Sequence, residues 1–246
     1  MTTTTTISNT THTTNTHILL LLGHACSNPL YSIENVSLPC VKSVKDLGVH
    51  VDSNLRFSFH YDDIVTKAHQ RAALILRCFA CRDPSLLFRA FTVCVRPILE
   101  YCSPIWNPVY VDDIKRIEAV QRRFTKKLSG YRHLSYDTRL HLLGAVSLEL
   151  RRLQLDLIMM YKILHGLVAV DSLFSVRLDN RTRGDFKILK PHCNVNSRAH
   201  SFACRRLNSW NSLPNDVRNA STVFVFKRLL SKCEFTCELL CYSTTA

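Results

Sequence analysis

The spacing of apolar residues changes along the chain, and each change marks an element. From Tyr31 to Val51 they alternate loosely through Ile33, Val36, Val41, Val44, Leu47, Val49 and Val51. Period-two spacing rich in β-branched residues predicts two short strands, the second running from Lys45 to Val51, followed by turn chemistry at Asp52-Ser53-Asn54. From Asp62 the spacing is helical, with Ile64, Ala68, Ala72, Ile75 and Phe79 on one stripe that Val65 and Leu76 widen. Asp62 and Asp63 at its N-terminal end suit the helix dipole. Asp83-Pro84 then predicts an N-cap and first helical position. The helix it opens is almost wholly apolar (Leu86, Leu87, Ala90, Phe91, Cys94, Val95), and Pro97 ends or kinks it.

Ser103-Pro104 and Asn107-Pro108 make the next stretch irregular, with Trp106 as its anchor. Ile114, Ile117, Val120, Phe124 and Leu128 predict a helix capped by Asp112 or Asp113 and stopped at Ser129-Gly130. A short helix over 136–143 ends at Gly144. Ser147 caps a long one with Leu150, Leu153, Leu157, Met160, Tyr161 and Leu164 on its apolar face and Gly166 just beyond its end. Beyond Asp171 the composition turns polar and basic, with apolar anchors at Phe202, Leu207, Trp210, Leu213 and Pro214 and a last helix over 221–230. These elements predict a mainly α fold: a helical bundle with a short β-hairpin near the N-terminus and a loop-rich basic C-terminal segment. The expected divisions are a leader (1–30), short strands (31–60), a helical domain (61–170), the basic segment (171–232) and a tail (233–246).

Residues 1–17 are a Thr/Asn/His mixture with no apolar pattern, expected to be unstructured. Ile18 to Leu22 is too short for a membrane span, and no basic segment precedes it as in a signal peptide. With 246 residues, 46% hydrophobic, the chain is long enough to bury a sizeable core. Its eleven cysteines follow no disulfide framework, and Cys78, Cys94 and Cys102 sit among apolar residues. A reducing, intracellular setting is expected over secretion.

The net charge of +13 points to a polyanionic partner, nucleic acid first. Lys and Arg outnumber Asp and Glu by eleven to six over 111–170 and by twelve to four over 171–232, so the excess lies almost wholly beyond residue 110. Arg122, Arg123, Lys126 and Lys127 form two i,i+4 pairs of like charge, a mutually repelling set that suits a bound anion. Arg132 lies close by, and Arg151 and Arg152 are lesser candidates for the same phosphate grip; a solvated helix face is the plain alternative. Cys78-x-x-Cys81 is a weak redox or zinc signal without a second pair. His192, Cys193, His200 and Cys204 have ligand chemistry but no zinc-motif spacing, and Cys233, Cys237 and Cys241 share one helical face, as packing residues do.

Several blocks resemble the C-terminal part of LINE-type (non-LTR) retrotransposon reverse transcriptases: Asp46-Leu47-Gly48-Val49, Arg96-Pro97-Ile98-Leu99-Glu100-Tyr101 and Trp106-Asn107-Pro108. So do residues 117–125 (Ile-Glu-Ala-Val-Gln-Arg-Arg-Phe-Thr), Leu134-Ser135-Tyr136, Arg139-Leu140, Leu148-Glu149-Leu150-Arg151-Arg152, the stretch 156–166 and Trp210-Asn211-Ser212-Leu213-Pro214. The likeness runs from about residue 31 to 232. It implies the last palm strands, a helical thumb and a segment downstream of the thumb, without the catalytic palm.

Tyr110-Val111-Asp112-Asp113 spells a polymerase-like tetrapeptide. Nucleotidyl transfer needs carboxylates on neighbouring strands to hold two metals, and the family's pair sits on a β-hairpin. Here the pair precedes a helical stripe, and no earlier strand offers a partner beyond Asp46 and Asp52, which fit strand-edge and turn roles. The resemblance therefore implies a non-polymerising fragment with no metal or cofactor of its own, since magnesium would belong to the palm. Its expected partner is an RNA or DNA backbone and not a membrane. An interaction module that binds a protein instead, and a metal-stabilised C-terminal module, are the rivals.

Overall fold

The computed structural model describes residues 4–9, 16–22, 31–33, 35–170, 173–174, 187–194, 196–235 and 238–240. Compact packing divides the chain into a first unit, Met1–Ile64, and a second, Val65–Ala246.

In the first unit β1 (Thr4–Asn9) pairs antiparallel with β2 (Thr16–Leu21); the rest of the leader lies outside the described residues apart from Leu22. β3 (Ser32–Ile33) and β4 (Val36–Ser37) form a small ladder, and β5 (Cys40–Val41) lies parallel to β2. Leu19 and Leu20, opposite β5, are almost fully buried. β6 (Ser43–Asp46) and β7 (Val49–Asp52) are the two arms of a tight hairpin. The strand expected over 45–51 is thus broken at its middle: Leu47 and Gly48 occupy the two turn positions with φ of 43° and 88°. Two successive positive φ values define the type I′ turn that matches strand twist. Asp52 behaves as turn chemistry predicts, its carboxylate accepting from the backbone N–H of Asn54, Arg56 and Phe57 at 2.9, 3.2 and 2.8 Å.

Helix α1 (Ser58–Cys78) starts a turn earlier than its apolar stripe suggests, so Asp62 and Asp63 fall past the first turn. Asp63 instead meets side chains of the hairpin, with Lys45 Nζ at 3.7 Å and His50 Nε2 at 3.4 Å. The stripe itself is buried as expected at Ile64, Ala68, Ala72 and Ile75.

The second unit is helical. α2 (Pro84–Cys94) is capped by Asp83, whose Oδ2 accepts from Leu86 N at 2.8 Å. Only Leu87, Phe88 and Phe91 of α2 are buried; Val93 is 66% exposed, so one face of this apolar helix meets solvent. Cys78 and Cys94 are likewise exposed. Pro97 falls in a 3-10 turn (Arg96–Leu99), and α3 (Ser103–Trp106) comes next. Trp106 is fully buried and donates to Tyr101 O at 2.7 Å, the anchor role expected of it. α4 (Val111–Lys126) buries Ile114, Ile117, Val120 and Phe124. The Phe91 and Phe124 rings stack at 4.6 Å, joining α2 to α4.

α5 (Tyr136–Leu142) and α6 (Leu148–Leu164) begin at Ser135 and Ser147, whose hydroxyls accept from Thr138 N and Leu150 N. Gly166 has φ of 67°, and the N–H groups of Gly166 and Leu167 close back on Ile163 O and Lys162 O at 3.1 and 2.8 Å. That pair of bonds satisfies carbonyls the helix end would leave open. Among the described residues five short helices follow: α7 (Asn196–Ala199), α8 (Phe202–Arg205), α9 (Leu207–Ser212), α10 (Asn215–Arg218) and α11 (Val223–Leu230). The described helices of the basic segment pack onto α6 around one core. Leu157, Met160 and Tyr161 meet Leu207, Trp210, Leu213, Phe226 and Leu230 there, with Tyr161 and Phe226 stacked at 4.4 Å. Arg181 to Gly184, Cys237 and Cys241 lie outside the described residues. No described helix is long and apolar enough to cross a membrane.

Candidate nucleic-acid interface

The stripe that buries α4 leaves its other face to the cations. Arg122, Arg123, Lys126 and Lys127 are exposed on it, and Arg132 is exposed in the turn before α5. Among the described residues none of the five has a carboxylate partner. Arg122 is held in place: its guanidinium lies 4.5 Å from the centre of the Tyr136 ring. Arg139 lies 5.5 Å from the same ring and donates to Arg122 O at 3.3 Å. A cation over a tyrosine face gains about 0.5–2 kcal/mol, more as water is excluded. Arg139 itself is 4% exposed, and burial, then the nearby Arg122, lower its pKa. The positive field reaches α1, where burial, then Arg123 and Lys127, hold His69 below the usual imidazole range.

Arg151 and Arg152 do not join this face. Arg151 forms a two-pronged bond to Glu100, through Nε to Oε1 and through Nη2 to Oε2 at 2.9 Å. Arg152 is 1% exposed; burial lowers its pKa, opposed by Glu118, Glu149, Glu100 and Asp156. Arg151 is thus committed to Glu100, and Arg152 is buried away from the surface. The polymerase-like tetrapeptide is helical rather than on a hairpin: Tyr110 is the N-cap residue and Val111-Asp112-Asp113 opens α4. The expected Asp cap is corrected, since no side chain caps this helix. Both carboxylates instead sit in its first turn, where they favour the helix dipole, and Asp113 pairs with Arg116 at 3.5 Å. This setting does not fit a two-metal centre.

Residues that no spacing or charge run singles out hold the scaffold. Glu118, 3% exposed on α4, accepts the Tyr136 hydroxyl and, at 3.2 and 3.1 Å, the first N–H groups of α6 at Leu148 and Glu149. Burial raises its pKa; Tyr136, Arg152 and those two N–H groups oppose the rise. Asp156, fully buried, accepts Asn107 Nδ2 at 2.8 Å and Arg205 through Nε and Nη2 at 3.0 and 2.7 Å. Arg206 Nε stands 3.4 Å from the same carboxylate. Asn211 mimics a strand partner, accepting from Ile188 N at 3.0 Å and donating to Ile188 O at 2.9 Å. Arg218, 1% exposed, donates to Asn211 O at 2.9 Å. Part of the basic C-terminal charge is thereby internal.

The candidate ligand set is gathered: His192, Cys193, His200 and Cys204 line one cavity of about 560 Å³. Among the described residues, however, no three His, Cys, Asp or Glu side chains are arranged to hold a metal. Cys78 and Cys81 are free and exposed.

No family model matches the chain, and no solved structure does. It is 29% identical over 126 residues to an uncharacterised protein of Caenorhabditis elegans, spanning 50% of this chain and 64% of that one. It is 31% identical over 116 residues to a probable RNA-directed DNA polymerase from transposon X-element of Drosophila melanogaster, spanning 46% of this chain and 13% of the polymerase. About half of this chain is similar to part of a transposon polymerase. The chain spans less than two thirds of either relative.

Proposed function

We propose that this chain is the thumb-like and downstream part of a LINE-type non-LTR retrotransposon reverse transcriptase, and that the α4–α5 face grips a nucleic-acid backbone. The similarity to a transposon polymerase supports the origin. The observation that carries the grip is the patch of exposed cations at Arg122, Arg123, Lys126, Lys127 and Arg132 without carboxylate partners among the described residues. Such contacts neutralise phosphates, carry no sequence information and weaken steeply with salt. The chain holds primer–template in this reading and does not join nucleotides, because Asp112 and Asp113 serve a helix start.

The test is anisotropy of a labelled RNA–DNA hybrid titrated with the full chain from 50 to 200 mM salt. Each phosphate contact contributes about 0.7–0.9 to the log–log salt slope, so changing Arg122, Arg123, Lys126 and Lys127 together to Gln should lower it by about 3. Changing Lys227 and Arg228, exposed on α11, to Gln should leave it close to wild type. An unchanged slope in the fourfold variant refutes the assignment. It would favour instead a protein-binding module, for which the exposed Val93, Tyr101, Ile105 and Tyr110 offer apolar contacts.

A further inference from the structure

The sulfurs of Cys193 and Cys204 lie 3.7 Å apart, in van der Waals contact, though ten residues separate them in sequence. Cys193 is partly exposed in the stretch before α7, whereas Cys204 is buried on α8. The cavity they share is walled by Lys190, His192, His200, Arg205 and Asn208. Cysteines that exchange with disulfides sit in electropositive, part-exposed places with a second thiol at hand. The other described cysteines lack this arrangement: Cys40, Cys78, Cys81 and Cys94 are exposed, Cys102 is half-buried, and the Cys233 thiol is turned to Leu229 O.

We propose that Cys193 and Cys204 are a redox modification site, closed to an intramolecular disulfide by glutathione disulfide. The Cys193 thiolate attacks one sulfur of the oxidant, forming a mixed disulfide and releasing one glutathione thiolate, which takes up a proton. Cys204 then gives up its proton, its sulfur attacks Cys193 Sγ, and the second glutathione leaves. Two protein thiols are oxidised and one glutathione disulfide is reduced to two glutathiones. The order follows from access, because only Cys193 is open to a bulky oxidant; burial also pushes the Cys204 thiol up, with Ser201 and Arg198 opposing. Lys190 on the cavity wall suits a carboxylate of the oxidant. Closure fastens the stretch around Cys193 to α8, whose Arg205 is already tied to Asp156.

The full chain, reduced and then equilibrated in glutathione redox buffers, is digested without reductant and mapped by mass spectrometry. The expected result is a Cys193–Cys204 cross-linked peptide, dithiothreitol-reversible, with a higher melting temperature than the reduced chain. Cys193→Ser removes both the cross-link and the melting shift, whereas Cys204→Ser accumulates stable glutathione on Cys193; Cys78→Ser changes neither. Cross-links spread evenly among the cysteines overturn the proposal, as does a pair that stays reduced while Cys78 and Cys81 oxidise. Purified chain that holds zinc through these thiols and resists oxidation overturns it too. Should the Cys204 variant not fold, Cys193→Ser decides the question alone.

Discussion

Replacing Asp156 by Asn removes a charge but keeps the shape, and the structure says what that should cost. The carboxylate is fully buried and accepts from Asn107, twice from Arg205, and from Arg206, uniting α3, α6 and α8. An amide offers one oxygen and points N–H groups at a guanidinium whose side chain is itself only 9% exposed. Breaking a buried pair on one side costs about 3–5 kcal/mol, because the remaining charge is left uncompensated. Whole-domain stabilities are about 5–15 kcal/mol, so the loss is a large share. With an m-value of about 2 kcal/mol/M in urea, the midpoint should fall by about 1.5–2.5 M, followed by circular dichroism and by tryptophan fluorescence. The double change Asp156→Leu with Arg205→Met, which removes both charges, should be less harmful than the sum of the single changes by about 2 kcal/mol. An Asp156→Asn midpoint within about 0.5 M of wild type would refute the reasoning, since a shift that small is about 1 kcal/mol.

Glu118→Gln should give a second signature, in pH. Burial raises the folded carboxyl above its ordinary value of 4.5, so the native state holds this proton more tightly than the unfolded chain. Stability contributed by the group is therefore full below the unfolded value and is lost as pH rises through the raised folded one. Urea midpoints across that window should show this decline in wild type and not in the variant, and equal slopes would refute it. Ser147→Ala should cost about 1 kcal/mol by stripping the cap from α6, read from the same denaturation curves. Gly166→Ala should cost about 1 kcal/mol, because alanine is strained at its φ of 67°. A cost near zero at either position would show that the end of α6 is held by packing alone.

Several helices were legible because they carry their own punctuation. Asp83-Pro84, Ser147, Gly144 and Gly166 mark ends that local chemistry enforces, and the stripes from Ile64 to Ile75 and from Ile114 to Phe124 bury as their period requires. The strand expected over 45–51 was misplaced because Leu47 hides a turn: alternation continues through Asp46-Leu47-Gly48-Val49, and only Gly48 hints at positive φ. The charge reading divided along a line no sequence count can draw. Arg122, Arg123, Lys126 and Lys127 face solvent because the apolar stripe of α4 faces inward, whereas Arg151, Arg205 and Arg218 meet partners up to 101 residues away and Arg152 is buried. The same distance hid the roles of Glu118, Asp156 and Asn211. Cys193 and Cys204 were noted for ligand chemistry, but only folding sets sulfur against sulfur.

Tyr136 faces two worlds at once. Its hydroxyl is fastened to Glu118 in the interior, while its ring carries Arg122 at the surface. The position of an outward-facing cation is thereby dictated from inside the protein, and a strand laid along α4 would meet that charge at a fixed address. Trimming the ring, with no phosphate contact of its own removed, would set Arg122 adrift and blur the register of whatever the helix holds.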